Sequence, residues 1–147
     1  MPYSSWDIAI NDFPKEAPIS KQIEFIIRFA ILAPSTHNSQ PWKFRVRNNA
    51  CEVLIDQQRV LRYSDPTSRQ SYISIGAALK NLILAANAYG FRIQILKKLG
   101  ANTVALVRFN KERQSEINES VLKAIIDRRS ERGLYRTQPL SLELVKQ

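Results

Sequence analysis

Ala33-Pro34-Ser35-Thr36-His37-Asn38-Ser39-Gln40-Pro41-Trp42 carries more information than any other stretch of this 147-residue chain. A helical apolar pattern precedes it and a strand-like alternation follows it. Pro34 and Pro41 fix φ and remove two amide donors. Each also biases its predecessor, Ala33 or Gln40, toward extended backbone. Ser35, Thr36, Asn38, Ser39 and Gln40 add short hydrogen-bonding side chains, and Trp42 adds a large apolar face with one donor. A chain needs this mixture to pass close to a flat polar ligand. The plainer alternative is a loop that stops a helix, with Trp42 as core.

Working outward, Ile23, Ile26, Ile27, Ala30 and Ile31 form one apolar stripe and predict a helix over Lys21 to Leu32, capped by Ser20. After the loop, Trp42, Phe44 and Val46 alternate with Lys43, Arg45 and Arg47. Cys51, Val53 and Ile55 alternate with Glu52, Leu54 and Asp56 beyond Asn48-Asn49. The two runs predict a hairpin. Residues 57–71 are polar, with a turn at Asp65-Pro66. Ile73 to Tyr89 predicts a second helix, apolar nearly all round and closed by Gly90, which argues burial at the centre or in a subunit interface. Phe91 to Leu96 and Thr103 to Phe109 predict two more strands. Ser115 is a candidate cap for a third helix through Ile126. Residues 1–19 hold three prolines and are expected to be irregular. The order α, ββ, α, ββ, α gives an α+β fold: an antiparallel or mixed central sheet flanked by helices, with a long buried central helix.

The size predicts one domain, and 44% apolar content supports a globular core. Mean hydropathy is −0.27. The longest apolar stretch, Ile73 to Tyr89, is interrupted by Lys80, Asn81 and Asn87, so no membrane span is expected. The first residues hold no basic segment followed by an apolar run, so no secretory leader is expected. A single cysteine, Cys51, excludes an internal disulfide, and a single histidine, His37, argues against zinc. A reducing cytoplasm is the default location. Cys51 reads as a buried strand residue rather than a nucleophile. Net charge is +9, which favours anionic partners. The basic residues are scattered, apart from Arg128, Arg129, Arg132 and Arg136. No basic stripe interleaves with aromatics, so a nucleic-acid role rests on charge alone. The four glycines make neither a dinucleotide fingerprint nor a phosphate-binding P-loop.

Three motifs together resemble one family. Pro34-Ser-Thr-His-Asn-Ser-Gln-Pro-Trp42 is similar to the P-S-S-x-N-x-Q-P-W loop of the flavin-dependent nitroreductases. Ile75 to Gly90 resembles that family's central helix. Arg128-Arg129-Ser130-Glu131-Arg132 resembles its R-R-S-x-R segment. In most members the arginine segment comes first; here it comes last. That order resembles the duplicated, Acg-type branch. It implies that residues 1–126 form a first half and residues 127–147 open a second.

The resemblance implies flavin mononucleotide (FMN) as cofactor, a reduced nicotinamide, NAD(P)H, as hydride donor, and a nitroaromatic or quinone as acceptor. It assigns Arg128, Arg129, Ser130 and Arg132 to the FMN phosphate, since arginine forks fix phosphate oxygens as lysine does not. It assigns Pro34, Ser35, Thr36 and Asn38 to the ring and ribityl chain. The plainer alternative for the arginines is a solvated helix end. No side chain is given a catalytic role, and His37 is expected to matter little, because the flavin carries the redox chemistry. A homodimer, or a missing C-terminal half, is the expected partner. The alternatives are a non-catalytic flavin-holding or interaction module of the same fold and, more weakly, a small basic nucleic-acid-binding protein.

Overall fold

The computed structural model describes residues 7–96, 100–112, 117–131 and 133–134. It contains α1 (Ile19–Ala30), β1 (Trp42–Arg47), β2 (Ala50–Ile55), α2 (Arg69–Ala88), β3 (Phe91–Leu96), β4 (Thr103–Lys111) and α3 (Glu119–Asp127). Short 3₁₀ turns at Ile10–Asp12 and Thr36–Asn38 complete the described elements. The four strands form one sheet in the order β1-β2-β4-β3, and every pairing is antiparallel. The fold is α+β, and of the two sheet types expected the antiparallel one is found.

The hairpin forms where the alternation predicts it, with Trp42 opposite Ile55 and Arg47 opposite Ala50. Asn48 takes φ 51°, the left-handed backbone its turn requires. Inward residues of the sheet (Cys51, Val53, Val107, Phe109) meet a helical layer in which Ile23, Ile26, Phe29, Ile75 and Leu82 are fully covered. Each large apolar side chain so buried stabilises the fold by roughly 1.5–3 kcal/mol. At one end Phe13 stacks on Tyr89 with ring centroids 4.1 Å apart. The Tyr89 hydroxyl donates to the Ile10 carbonyl at 3.1 Å. These contacts pin the N-terminal segment across α1 and α2.

Helix boundaries depart from expectation for local reasons. Helix α1 begins at Ile19, with Pro18 in the capping position and Ser20 inside the helix. Proline's preset φ opens a helix without a side-chain cap. The helix ends at Ala30, and the turns after it are closed by the Leu32 and Ala33 amides on Phe29 and Ala30. Helix α2 starts four residues before the expected Ile73, because Asp65 reaches over its first turn. Asp65 accepts from the Gln70 and Ser71 amides at 3.0 and 2.9 Å and from the Ser71 hydroxyl at 2.8 Å. The first helical amides thus find an acceptor where Ser68, with φ 57°, supplies none. Helix α3 is capped by Asn118, whose side chain accepts from the Val121 amide; the expected cap, Ser115, lies outside the described residues. Among the described residues the central helix is left open on one side: Tyr72, Ile73 and Gly76 are exposed.

Candidate functional site

The loop after α1 is built from backbone that L-residues avoid. His37, Asn38 and Gln40 have φ of 50°, 55° and 49°. Three left-handed non-glycine residues in four positions cost of order 1–3 kcal/mol each and persist only where surroundings fix them. Ser35 does much of the fixing. Its carbonyl accepts the Asn38 amide at 3.0 Å, and its hydroxyl oxygen accepts the Gln40 amide at 3.0 Å. That bond explains why Gln40 is not extended as Pro41 alone would favour. Pro41 and Trp42 are buried anchors, and the Pro41 carbonyl accepts the Asp56 amide at 2.9 Å. Pro34, His37 and Asn38 are exposed; Ser35 and Thr36 are half-buried. The loop therefore offers a polar rim on a rigid base, beside α2.

The arginine segment reaches the same place from the far end of the chain. One Arg128 amino group donates to the Leu32 carbonyl at 3.1 Å, across 96 residues of sequence, and the other to the Ser130 hydroxyl at 3.2 Å. The Arg128 Nε is buried with no hydrogen-bond partner. Helix α2 supports the junction, since the Asn81 side-chain amide donates to the Phe29 carbonyl at 3.3 Å. Arg128 is thus brought to the turn after α1, two residues before Pro34, with Ser130 bonded to it. Arg129 instead turns back, donating to the Ile126 and Arg128 carbonyls at 2.6 and 2.9 Å. That is the helix-end arrangement. Arg132 lies outside the described residues.

No protein-family model matches the chain. Among curated proteins it is 31% identical over 78 residues to the "Putative NAD(P)H nitroreductase Rv3131" of Mycobacterium tuberculosis, covering 53% of this chain and 23% of that protein. It is 34% identical over 68 residues to the "Putative NAD(P)H nitroreductase acg" of the same organism, covering 46% of this chain and 20% of that one. The matched stretch is therefore less than a quarter of either relative. Among solved structures it resembles a "Putative NADH Oxidase" from Clostridium acetobutylicum, with a TM-score of 0.53 at 17% identity over 74% of this chain and 90% of that one. It also resembles a nitroreductase-like protein from Streptococcus mutans, with a TM-score of 0.50 at 14% identity over 77% and 89% of the two chains. The chain is thus similar over part of its length to proteins named as nitroreductases, and its fold is nitroreductase-like.

Within this nitroreductase-like fold Cys51, Tyr89, Asp65 and Asp56 serve the packing and capping of the elements. Burial pushes the Cys51 thiol up to about 12, which keeps it protonated and unreactive at neutral pH. Burial also raises the Tyr89 phenol. Asp65 is buried at a cost to its charge, but the hydrogen bonds from Ser71 and Gln70 outweigh that and hold its carboxyl below the usual range. Asp56 follows the same logic: burial opposes its charge, while Lys43 at 3.0 Å and the Gln58 amide overcome it. Sequence reasoning missed the capping role of Asp65. A carboxylate capping amides five and six residues onward has no short spacing rule, although the Asp65-Pro66 turn marked the place. It missed the left-handed loop too, because no glycine advertises it. No described helix is long and apolar enough to cross a membrane.

Proposed function

We propose that this chain is the N-terminal part of an FMN-dependent oxidoreductase, accepting hydride from NAD(P)H and passing electrons to nitroaromatic or quinone acceptors. The observation that carries the reading is the meeting of Arg128 with the end of α1, directly before the left-handed loop. Arg128, 96 residues further along the chain, meets the residue two positions before the loop, and its buried Nε still has bonding capacity. The residues fit the cofactor. Arg128, Ser130 and Arg132 would hold the phosphate through charge-assisted hydrogen bonds, joined by Arg129 once its side chain swings away from the Ile126 and Arg128 carbonyls. Pro34, Ser35, Thr36 and Asn38 would line the ring and ribityl chain, with Ser35 also holding the loop's shape. Bound FMN supplies the two-electron redox chemistry; the chain binds, orients and excludes water. A cytoplasmic location suits the single reduced thiol, Cys51.

A second body completes the site in this reading, either another copy or a C-terminal half opened by residues 127–147. Two features support it. Tyr72 and Ile73 leave an apolar strip on α2 uncovered. The outer edge of β1 pairs with no described strand and borders a groove of about 540 Å³ floored by Ile27, Ile31, Trp42, Phe44 and Val46. The same features favour a second reading, a flavin-holding module without turnover, since a site that needs completing binds weakly alone.

The test is FMN titration by fluorescence quenching, followed by NAD(P)H oxidation with an added nitroaromatic. Arg129→Ala should weaken FMN binding by roughly 1.5–3 kcal/mol, ten- to a hundredfold. His37→Ala should do much less. Equal losses, or a larger loss at His37, overturn the assignment. Binding without NAD(P)H oxidation selects the holding module.

A further inference from the structure

The sheet has a second face, turned away from α1 and α2. Strand alternation puts Arg45 and Arg47 of β1, Ala50 and Glu52 of β2, and Leu106 and Arg108 of β4 on it. The register sets them in rows: Arg47, Ala50 and Arg108 across one, Arg45, Glu52 and Leu106 across the next. Glu52 is fully engaged, accepting from Arg45 at 2.9 Å and from the Thr103 hydroxyl. Arg47 and Arg108 have no ion pair of their own among the described residues. Arg45 and Arg47 thus both act on the Glu52 carboxylate, while Arg108 stands one row away across Ala50. Between Arg47 and Arg108 stands only the methyl group of Ala50, a weak strand former. The result is a pocket of about 230 Å³ lined by Arg45, Arg47, Ala50, Glu52, Thr103 and Leu106.

We propose that this slot binds an oxyanion, a carboxylate or a phosphate monoester, carried on a small flat apolar body. Arg47 lines the slot and Arg108 flanks Ala50 on the other side in the register, so the two exposed guanidinium groups are within reach of an oxyanion held over Ala50. Ala50 and Leu106 form the apolar floor. Glu52, locked by Thr103 and Arg45, repels the anion from the second row and so sets the ligand's direction. The volume lies below the ~300–1,000 Å³ of drug-sized sites, which limits the body to about one ring. An extended polyanion fits less well. Lys43 and Arg92 on the same face are engaged by Asp56 and Glu112. The rows carry no aromatic side chain on which bases would stack.

The experiment titrates phenyl phosphate, benzoate and neutral benzyl alcohol into the whole chain, read by backbone amide NMR shifts. Saturable shifts at Ala50 and Leu106 are expected with an anion and not with benzyl alcohol. Tighter phenyl phosphate identifies phosphate as the group, and tighter benzoate identifies carboxylate. Ala50→Leu should abolish the shifts by filling the slot. The double variant Arg47→Met/Arg108→Met should weaken binding at least about tenfold. It changes two exposed side chains and carries the test alone if Ala50→Leu misfolds. Shifts indifferent to these variants, benzyl alcohol binding as well as the anions, or no saturable shift at all would each overturn the proposal. The slot faces away from α1, so the outcome is independent of FMN binding at the loop.

Discussion

Helices α1 and α2 pack side by side, yet the described residues cover the apolar surface of the first far more fully than that of the second. In α1 most of the apolar face is covered: Ile23, Ile26 and Phe29 are fully buried, Ile27 and the C-capping Ile31 are half-buried beside the groove, and Glu24 and Lys21 pair on the outside at 2.7 Å. Helix α2 buries Ile75, Ala78, Leu82, Ala85 and Ala86. It also presents Tyr72 at 41% and Ile73 at 59% exposure. Gly76, in mid-helix, has nothing within 4 Å of where a Cβ would stand. A helix gains nothing among the described residues from bare Ile73 or from glycine at that point. The difference teaches that most of α1 is accounted for by the described core, whereas the outer stripe of α2 is left open by it.

The largest effect should separate the two faces by stability. Phe29→Ala removes a ring from the centre of the core and should cost about 3–5 kcal/mol. Ile73→Ala should stay within about 0.5 kcal/mol. Urea denaturation of both variants measures this, and similar losses would erase the distinction.

Association should show the reverse order. The wild-type chain is expected to self-associate through the open α2 strip, since exposed apolar patches drive pairing. Ile73→Asp should weaken that association at least about tenfold, as loss of a central apolar anchor does. Sedimentation over a concentration series reads it. A wild-type chain that stays monomeric at every concentration sinks the expectation.

Asp65 provides a pH test at the start of α2. Its carboxyl is depressed in the folded state by the Ser71 and Gln70 hydrogen bonds, against the cost of burial. A depressed carboxylate contributes stability that is present above the unfolded value, near 3.8, and is lost as pH falls through the folded value. Thermal melts from pH 6 downward should show an acid loss that is smaller in Asp65→Asn. Glu52 and Asp56, also depressed, should keep part of the loss in that variant. An unchanged profile would mean that the cap does not depend on charge.

These contrasts track what was legible in the sequence. The hairpin was readable because period-two alternation is enforced by a buried face, so Trp42, Phe44 and Val46 announce themselves. The buried face of α1 was readable for the same reason at period 3.6. The start of α2 was not, because the residues that create it, Asp65 and Ser71, are polar and cooperate through three-dimensional hydrogen bonds. The loop motif pointed to the right residues but hid their conformation. The Ser35 hydroxyl bond to the Gln40 amide overrides the preference that Pro41 imposes. The arrival of Arg128 at the Leu32 carbonyl depends on the packing of α3 against α1 and α2, which no local pattern records.

The smallest effect is the sharpest test of the outer stripe. Gly76→Ala adds one methyl group where the chain itself offers open space. Alanine is the better helix former by about 0.5–1 kcal/mol, partly because glycine leaves the unfolded chain more freedom to lose. The isolated chain should therefore melt about 2–4 °C higher. If α2 meets another body closely at Gly76, the same methyl group intrudes there, and association should weaken while the monomer gains. A rise in melting temperature with weaker association in one variant is the expected pair of results. A rise with unchanged association would leave Tyr72 and Ile73 as the contact and remove Gly76 from it. No rise at all would mean that something already lies against Gly76, and the view of α2 as open on that side would have to be given up.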